Sequence, residues 1–223
     1  MNIIYLIIVA MGFILTFMSC CIHNKRIKLL NIENLLYSYI FFTIGFILFA
    51  KIFHIFLDFD FKSLKFLLNH NIKDLFNFIF SGYSFIGGYI GGIVSVYLFS
   101  KLINIRFKSL ISIFLHSSLL MYGILKIGCF INGCCIGKYD LPIQIIESII
   151  SLVIYGYIFL NLKKYKENKL IGISIFCFGL SRFLISFFRI YSNIYSFIIV
   201  EIICLIFIVI GISNFSLKLL KKV

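Results

Sequence analysis

Long apolar runs constrain this chain more than any other feature. Stretches of about 20 residues with very few charges recur near 3–22, 34–56, 78–100, 109–130, 143–161, 170–189 and 196–214. About 20 apolar residues are what a helix needs to cross the hydrocarbon of a bilayer. In lipid every backbone polar group must be satisfied within its own segment, so runs of this length read as helices. The reading is an all-α, polytopic integral membrane protein of about seven transmembrane helices, with residues 1–223 forming a single transmembrane domain. Composition removes the soluble alternative. Hydrophobic residues make up 62% of the chain and charged residues 13%, too little polar surface to solvate a globule of this size. One further segment near 58–76, "DFDFKSLKFLLNHNIKDLF", is amphipathic instead of uniformly apolar. It reads as an extracytoplasmic interfacial helix or lid.

The formal net charge of +13 fits loop topology better than nucleic-acid binding, because no soluble basic domain accompanies it. Lys25, Arg26, Lys28, Lys101, Arg106, Lys108, Lys163, Lys164, Lys166, Lys169, Lys218, Lys221 and Lys222 all fall on one set of alternating loops and the tail. The opposite set holds only Lys62, Lys65, Lys73, Lys138 and Arg189. Basic residues concentrate in cytoplasmic loops. The N-terminus is therefore expected outside and the C-terminus in the cytoplasm, with residues 126–140 near the outer face. The first apolar run has no basic region before it and no small-residue cleavage site, so it reads as a retained helix instead of a signal peptide.

Ionisable groups within spans single themselves out, since each costs on the order of 2.5–3.5 kcal/mol at a helix centre and is usually paired or functional. Lys126 reads either as a snorkelling side chain or as a cation facing a polar cavity. It shares a helix face with Cys129 and Gly133 by spacing. Arg182 and Arg189 lie seven residues apart with Ser186 between. They suit bidentate binding of a phosphate, or Arg182 pairs with Glu147 or Glu201. Glu147 follows Pro142 and Gln144 near a helix start, where the helix dipole favours a carboxylate. His116 reads as a buried histidine with a hydrogen-bond partner. Gly87, Gly88, Gly91 and Gly92 have the small-residue spacing of closely packed membrane helices, and they also permit close approach of a ligand. Cys129, Cys134 and Cys135 admit three readings: a disulfide, a metal site lacking a standard zinc spacing, or small side chains filling a tight turn. The last is preferred, and neither a metal nor a cofactor is assigned.

The motifs "SGYSFIGGYIGG", "KIGCFINGCCIG", "LPIQIIES" and "FGLSRFLISFFR" occur in that order. Together they resemble the bacterial prolipoprotein diacylglyceryl transferase family, over roughly Tyr5 to Arg189. The resemblance implies transfer of a diacylglyceryl group from phosphatidylglycerol to the lipobox cysteine of a prolipoprotein signal peptide, in the bacterial cytoplasmic (inner) membrane. Its partners would be those two substrates and membrane lipid. It implies catalytic roles for Arg182, Lys126 and Glu147. It implies substrate-binding roles for Tyr5, Gly87, Gly88, Asn132, Gly133, Gly137, Gln144 and Arg189. Four positions depart from the family pattern: Lys126 replaces an arginine, Ile86 a histidine before the paired glycines, Cys129 an asparagine and Ser186 an acid. Two other functions stay open: the missing histidine and the Lys126 exchange favour a non-catalytic lipid or signal-peptide binder of the same fold, and Cys129, Cys134 and Cys135 allow a thiol-redox or metal-binding membrane protein.

Overall fold

The computed structural model describes residues 3–57, 82–135, 137–191 and 193–216. Among them are seven helices long and apolar enough to cross a membrane. They are α1 (Ile3–Ile27), α2 (Ile32–Leu57), α3 (Phe85–Leu102), α4 (Phe107–Ile131), α5 (Ile143–Leu160), α6 (Glu167–Ser186) and α7 (Ile194–Ser216). The expected seven spans are thus present, and the described residues are all-helical apart from a short 3-10 turn at Lys138–Asp140 and a single backbone bridge. The amphipathic stretch expected near 58–76 lies outside the described residues.

Several helix ends differ from the sequence reading, among them the end of the first span, which runs on from residue 22 to Ile27. The apolar run puts the third span from residue 78, but its helix starts at Phe85, after an extended Ser84. Spacing puts Gly133 on the face of α4, but that helix stops at Ile131 and Gly133 turns out of it with φ of 67°. The sixth apolar run extends to residue 189, but α6 ends at Ser186. There Lys138 crosses from another loop, its backbone N–H bonding the Phe188 carbonyl and its Nζ the Phe187 carbonyl. Carbonyls at the end of a helix need partners: Phe188 and Arg189 bond back to the Ile185 and Ser186 carbonyls, and Lys138 takes the two carbonyls that follow.

Helix α4 is the hub. It packs against α1, α3, α5 and α6, while α2 pairs with α3 and α6 with α7. The α2–α3 pair rests on glycine. A Cβ at Gly91 would sit 2.4 Å from the Gly45 carbonyl oxygen, and one at Gly87 2.6 Å from that of Phe49. The two backbones touch, as small-residue spacing allows. The α4–α5 pair is fixed by serines: Ser148 Oγ donates to the Gly123 carbonyl at 2.8 Å and Ser151 Oγ to the Leu119 carbonyl at 2.7 Å. Those bonds set the register that brings Glu147 of α5 beside α4.

Candidate functional site

A cavity of about 510 Å³ opens at the end of the bundle where α2, α4 and α6 finish and α1, α3 and α7 begin. Tyr5, His54, Tyr122, Lys126, Arg182 and Arg189 supply much of its polar lining. Glu147 stands behind this wall. Its carboxylate accepts from Arg182 Nη1 on one oxygen and pairs with Lys126 Nζ on the other. Arg182 Nη1 also donates to Tyr122 Oη at 3.1 Å, and Lys126 Nζ lies 5.3 Å from the centre of the Tyr122 ring. All three charged residues are buried, with exposures of 6% for Lys126, 1% for Glu147 and 5% for Arg182. Two cations therefore share one carboxylate, which leaves a surplus positive charge. Arg189 adds another on the cavity wall. The Nε of Arg182 and the hydroxyl of Tyr191 are buried with no hydrogen-bond partner among the described residues, and both residues line the cavity. Unsatisfied buried donors of this kind call for an acceptor.

The turn after α4 forms the rim. Gly133 donates to the Phe130 carbonyl and Cys134 to the Cys129 carbonyl, at 3.1 and 3.0 Å. This paired pattern around a left-handed glycine is a Schellman ending, with Asn132 as the capping residue and exposed to solvent. Gln144, buried in the first turn of α5 after Pro142, holds the turn from behind through Nε2, which donates to the Cys134 carbonyl at 2.6 Å. Gly137 bridges to Arg189, bringing that arginine to the rim after α6 has ended. Arg189 Nη2 donates to Cys135 Sγ at 2.9 Å. Hydrogen bonds from Cys129 and Cys134, together with the Lys126 and Arg189 charges, push the Cys135 thiol below its ordinary range.

The folded chain brings together most of the residues singled out in the sequence. Tyr5, Lys126, Gly133, Arg182 and Arg189 line one cavity. Glu147 backs it, and Asn132, Gly137 and Gln144 shape its rim. Gly87 and Gly88 lie elsewhere: their faces pack on Phe53 and Phe46 of α2. Glu201 pairs with neither Arg182 nor Lys126. It accepts instead from Ser186 Oγ, so a carboxylate from α7 reaches the α6 position where the family pattern has an acid. Ile86, at the position of the family histidine, is 1% exposed in the apolar core. His116 is buried as expected, with Nδ1 3.0 Å from the Ser112 carbonyl oxygen, and it meets the His23 ring at 4.6 Å. His54, Tyr122 and Tyr191 were missed. No local motif marks them, and only the convergence of helix ends brings them to one wall.

The prolipoprotein diacylglyceryl transferase family profile matches residues 3–217. The chain belongs to the prolipoprotein diacylglyceryl transferase family. Among its relatives is the phosphatidylglycerol–prolipoprotein diacylglyceryl transferase of Clostridium tetani, 29% identical over 174 residues, a match covering 68% of each chain. Another is the protein of the same name from Francisella tularensis subsp. holarctica, 28% identical over 138 residues, covering 54% of this chain and 52% of that one. This family membership agrees with the resemblance carried by the glycine, lysine-cysteine, glutamine-glutamate and arginine motifs.

Proposed function

We propose that this chain transfers the diacylglyceryl group of phosphatidylglycerol to the cysteine thiol of a prolipoprotein signal peptide, in a bacterial cytoplasmic membrane. The observation that carries the reading is the surplus positive charge of Lys126, Arg182 and Arg189 around one cavity at the end of a seven-helix bundle. A phosphodiester headgroup has the oxygens to satisfy Arg182 Nε and the Tyr191 hydroxyl. Its leaving group gains negative charge as the carbon–oxygen bond breaks, and fixed cations aimed at that charge lower the barrier. Glu147 holds Lys126 and Arg182 in place, so they need no reorganisation during the reaction. The acceptor sulfur attacks as a thiolate, forming the thioether carbon–sulfur bond while glycerol phosphate departs with the bonding pair.

The test is a mass measurement. Detergent-solubilised protein, phosphatidylglycerol and a lipobox peptide should yield peptide heavier by one diacylglyceryl group. Peptide and lipid that bind without any mass change would replace this reading with a binding protein of the same fold. Arg182→Ala should lower turnover by about 10²–10³-fold, the usual loss when one donor to a developing oxyanion is removed. Unchanged turnover would remove Arg182 from the mechanism.

A further inference from the structure

The sulfurs of Cys129, Cys134 and Cys135 all lie within 4.8 Å of one another, and Cys129 and Cys135 line the cavity. The helix ending explains how a spacing unlike ordinary zinc motifs produces such a cluster. In a Schellman motif the third residue from the helix end and the second residue beyond the cap come into side-chain contact. Here those are Cys129 and Cys134. Cys135, next in the chain, takes a left-handed φ of 64°, and its sulfur is held by Arg189.

We propose that Cys129, Cys134 and Cys135 form a three-thiolate site for a zinc-class metal ion, whose fourth position faces the cavity and takes the acceptor thiol of the substrate. Zinc–sulfur bonds of about 2.3 Å put tetrahedral sulfurs about 3.8 Å apart, so the cluster closes on an ion with side-chain movements of about 1 Å. Three protein ligands with one open position is the arrangement of zinc sites that act on substrates, whereas structural sites are closed by four. Three thiolates and a fourth from the substrate give a divalent ion a net charge of −2. Arg189, on Cys135, offsets part of that charge, while Lys126 and Arg182 stay on Glu147 beside the place of the headgroup. Gln144 supports the ligand loop from behind through the Cys134 carbonyl, the kind of outer contact that keeps metal ligands aimed.

The site meets the chemical need of the reaction. A thiol bound to such an ion is deprotonated outright, so the acceptor arrives as a nucleophile. On coordination the acceptor S–H loses its proton to solvent. Its sulfur then attacks the glyceryl carbon, the carbon–oxygen bond to phosphate breaks, and the electron pair leaves with glycerol phosphate. The neutral thioether binds the ion weakly and departs. No electron transfer is involved.

The substrate thiol rests on the transferase reading, while metal binding does not, and the experiment separates them. The full chain, reduced and stripped with chelator, is titrated with cadmium or cobalt ions. A sulfur-to-metal charge-transfer band saturating at one ion per chain is expected. It should be absent in the triple Cys→Ser variant and kept in Cys177→Ser, whose sulfur lies off the cavity. A lipobox peptide should shift the cobalt spectrum, and its Cys→Ser analogue should not. Zinc should restore transfer to stripped protein. No saturable band, or a band surviving in the folded triple variant, overturns the site. Transfer unaffected by stripping overturns its role in the reaction. A band without transfer under any condition overturns the transferase reading and leaves the metal site standing.

Discussion

Glu147 is one carboxylate held between two cations inside an apolar bundle. Removing a single member of a buried charge cluster strands the rest, at a typical loss of about 3–5 kcal/mol. Glu147→Gln should therefore lower the thermal unfolding temperature sharply in detergent or nanodiscs. Adding Lys126→Met to it should recover part of the loss, because one stranded cation is removed. Thermal melts of the two variants check this, and equal melting temperatures would show that Lys126 and Glu147 are not coupled. At this scale the sequence was informative, since a charge in a span is expensive enough to demand a reason. Lys126, Glu147 and Arg182 stand out on that ground alone. Which carboxylate serves which cation was not legible. It depends on helix register, and two serine hydroxyls, those of Ser148 and Ser151, set that register against carbonyls of α4.

Helix pairs show where spacing suffices and where it fails. The glycine repeat of α3 announces close packing, and Gly45 with Gly91 provides it at backbone contact. Gly91→Ala puts a methyl group into the Gly45 carbonyl with nothing flexible to yield, so overpacking should cost about 1–3 kcal/mol. Splaying α2 from α3 would also move Ala50 and His54 relative to Phe85 on the cavity wall and lower transfer. Gly156→Ala in α5 is the contrast: its added Cβ meets nothing within 4 Å, and better helix propensity should leave stability unchanged or slightly raised. Parallel melts of both variants test the pair, and a harmless Gly91→Ala would break the packing argument. Helix ends were less legible. The apolar run of α6 continues through Phe187 and Phe188, so periodicity carried Arg189 onto the helix face. The helix stops where Phe188 and Arg189 bond back to the Ile185 and Ser186 carbonyls, and Lys138, dozens of residues away, takes the two carbonyls just beyond, those of Phe187 and Phe188. That tertiary contact leaves no local mark.

Across the whole molecule, the cavity and the basic loops lie at opposite ends of the bundle. Tyr5, His54, Lys126 and Arg189 gather at one end, while Lys25, Arg26, Lys101, Arg106, Lys163 and Lys164 lie at or beyond helix ends belonging to the other. Since basic residues remain on the cytoplasmic side, the cavity end should face outward, where a signal peptide presents its cysteine after export. Tyr139 on the cavity-end turn is 89% exposed, and Asn104 is exposed in the α3–α4 connection at the other end. Neither position carries charge, so replacing it leaves the orienting lysines untouched. In intact cells a membrane-impermeant thiol reagent should label Tyr139→Cys well above the unsubstituted chain. Asn104→Cys should react only after the membrane is permeabilised. The reverse pattern would turn the bundle over, placing the cationic cavity on the cytoplasmic side and removing exported peptides as its substrate.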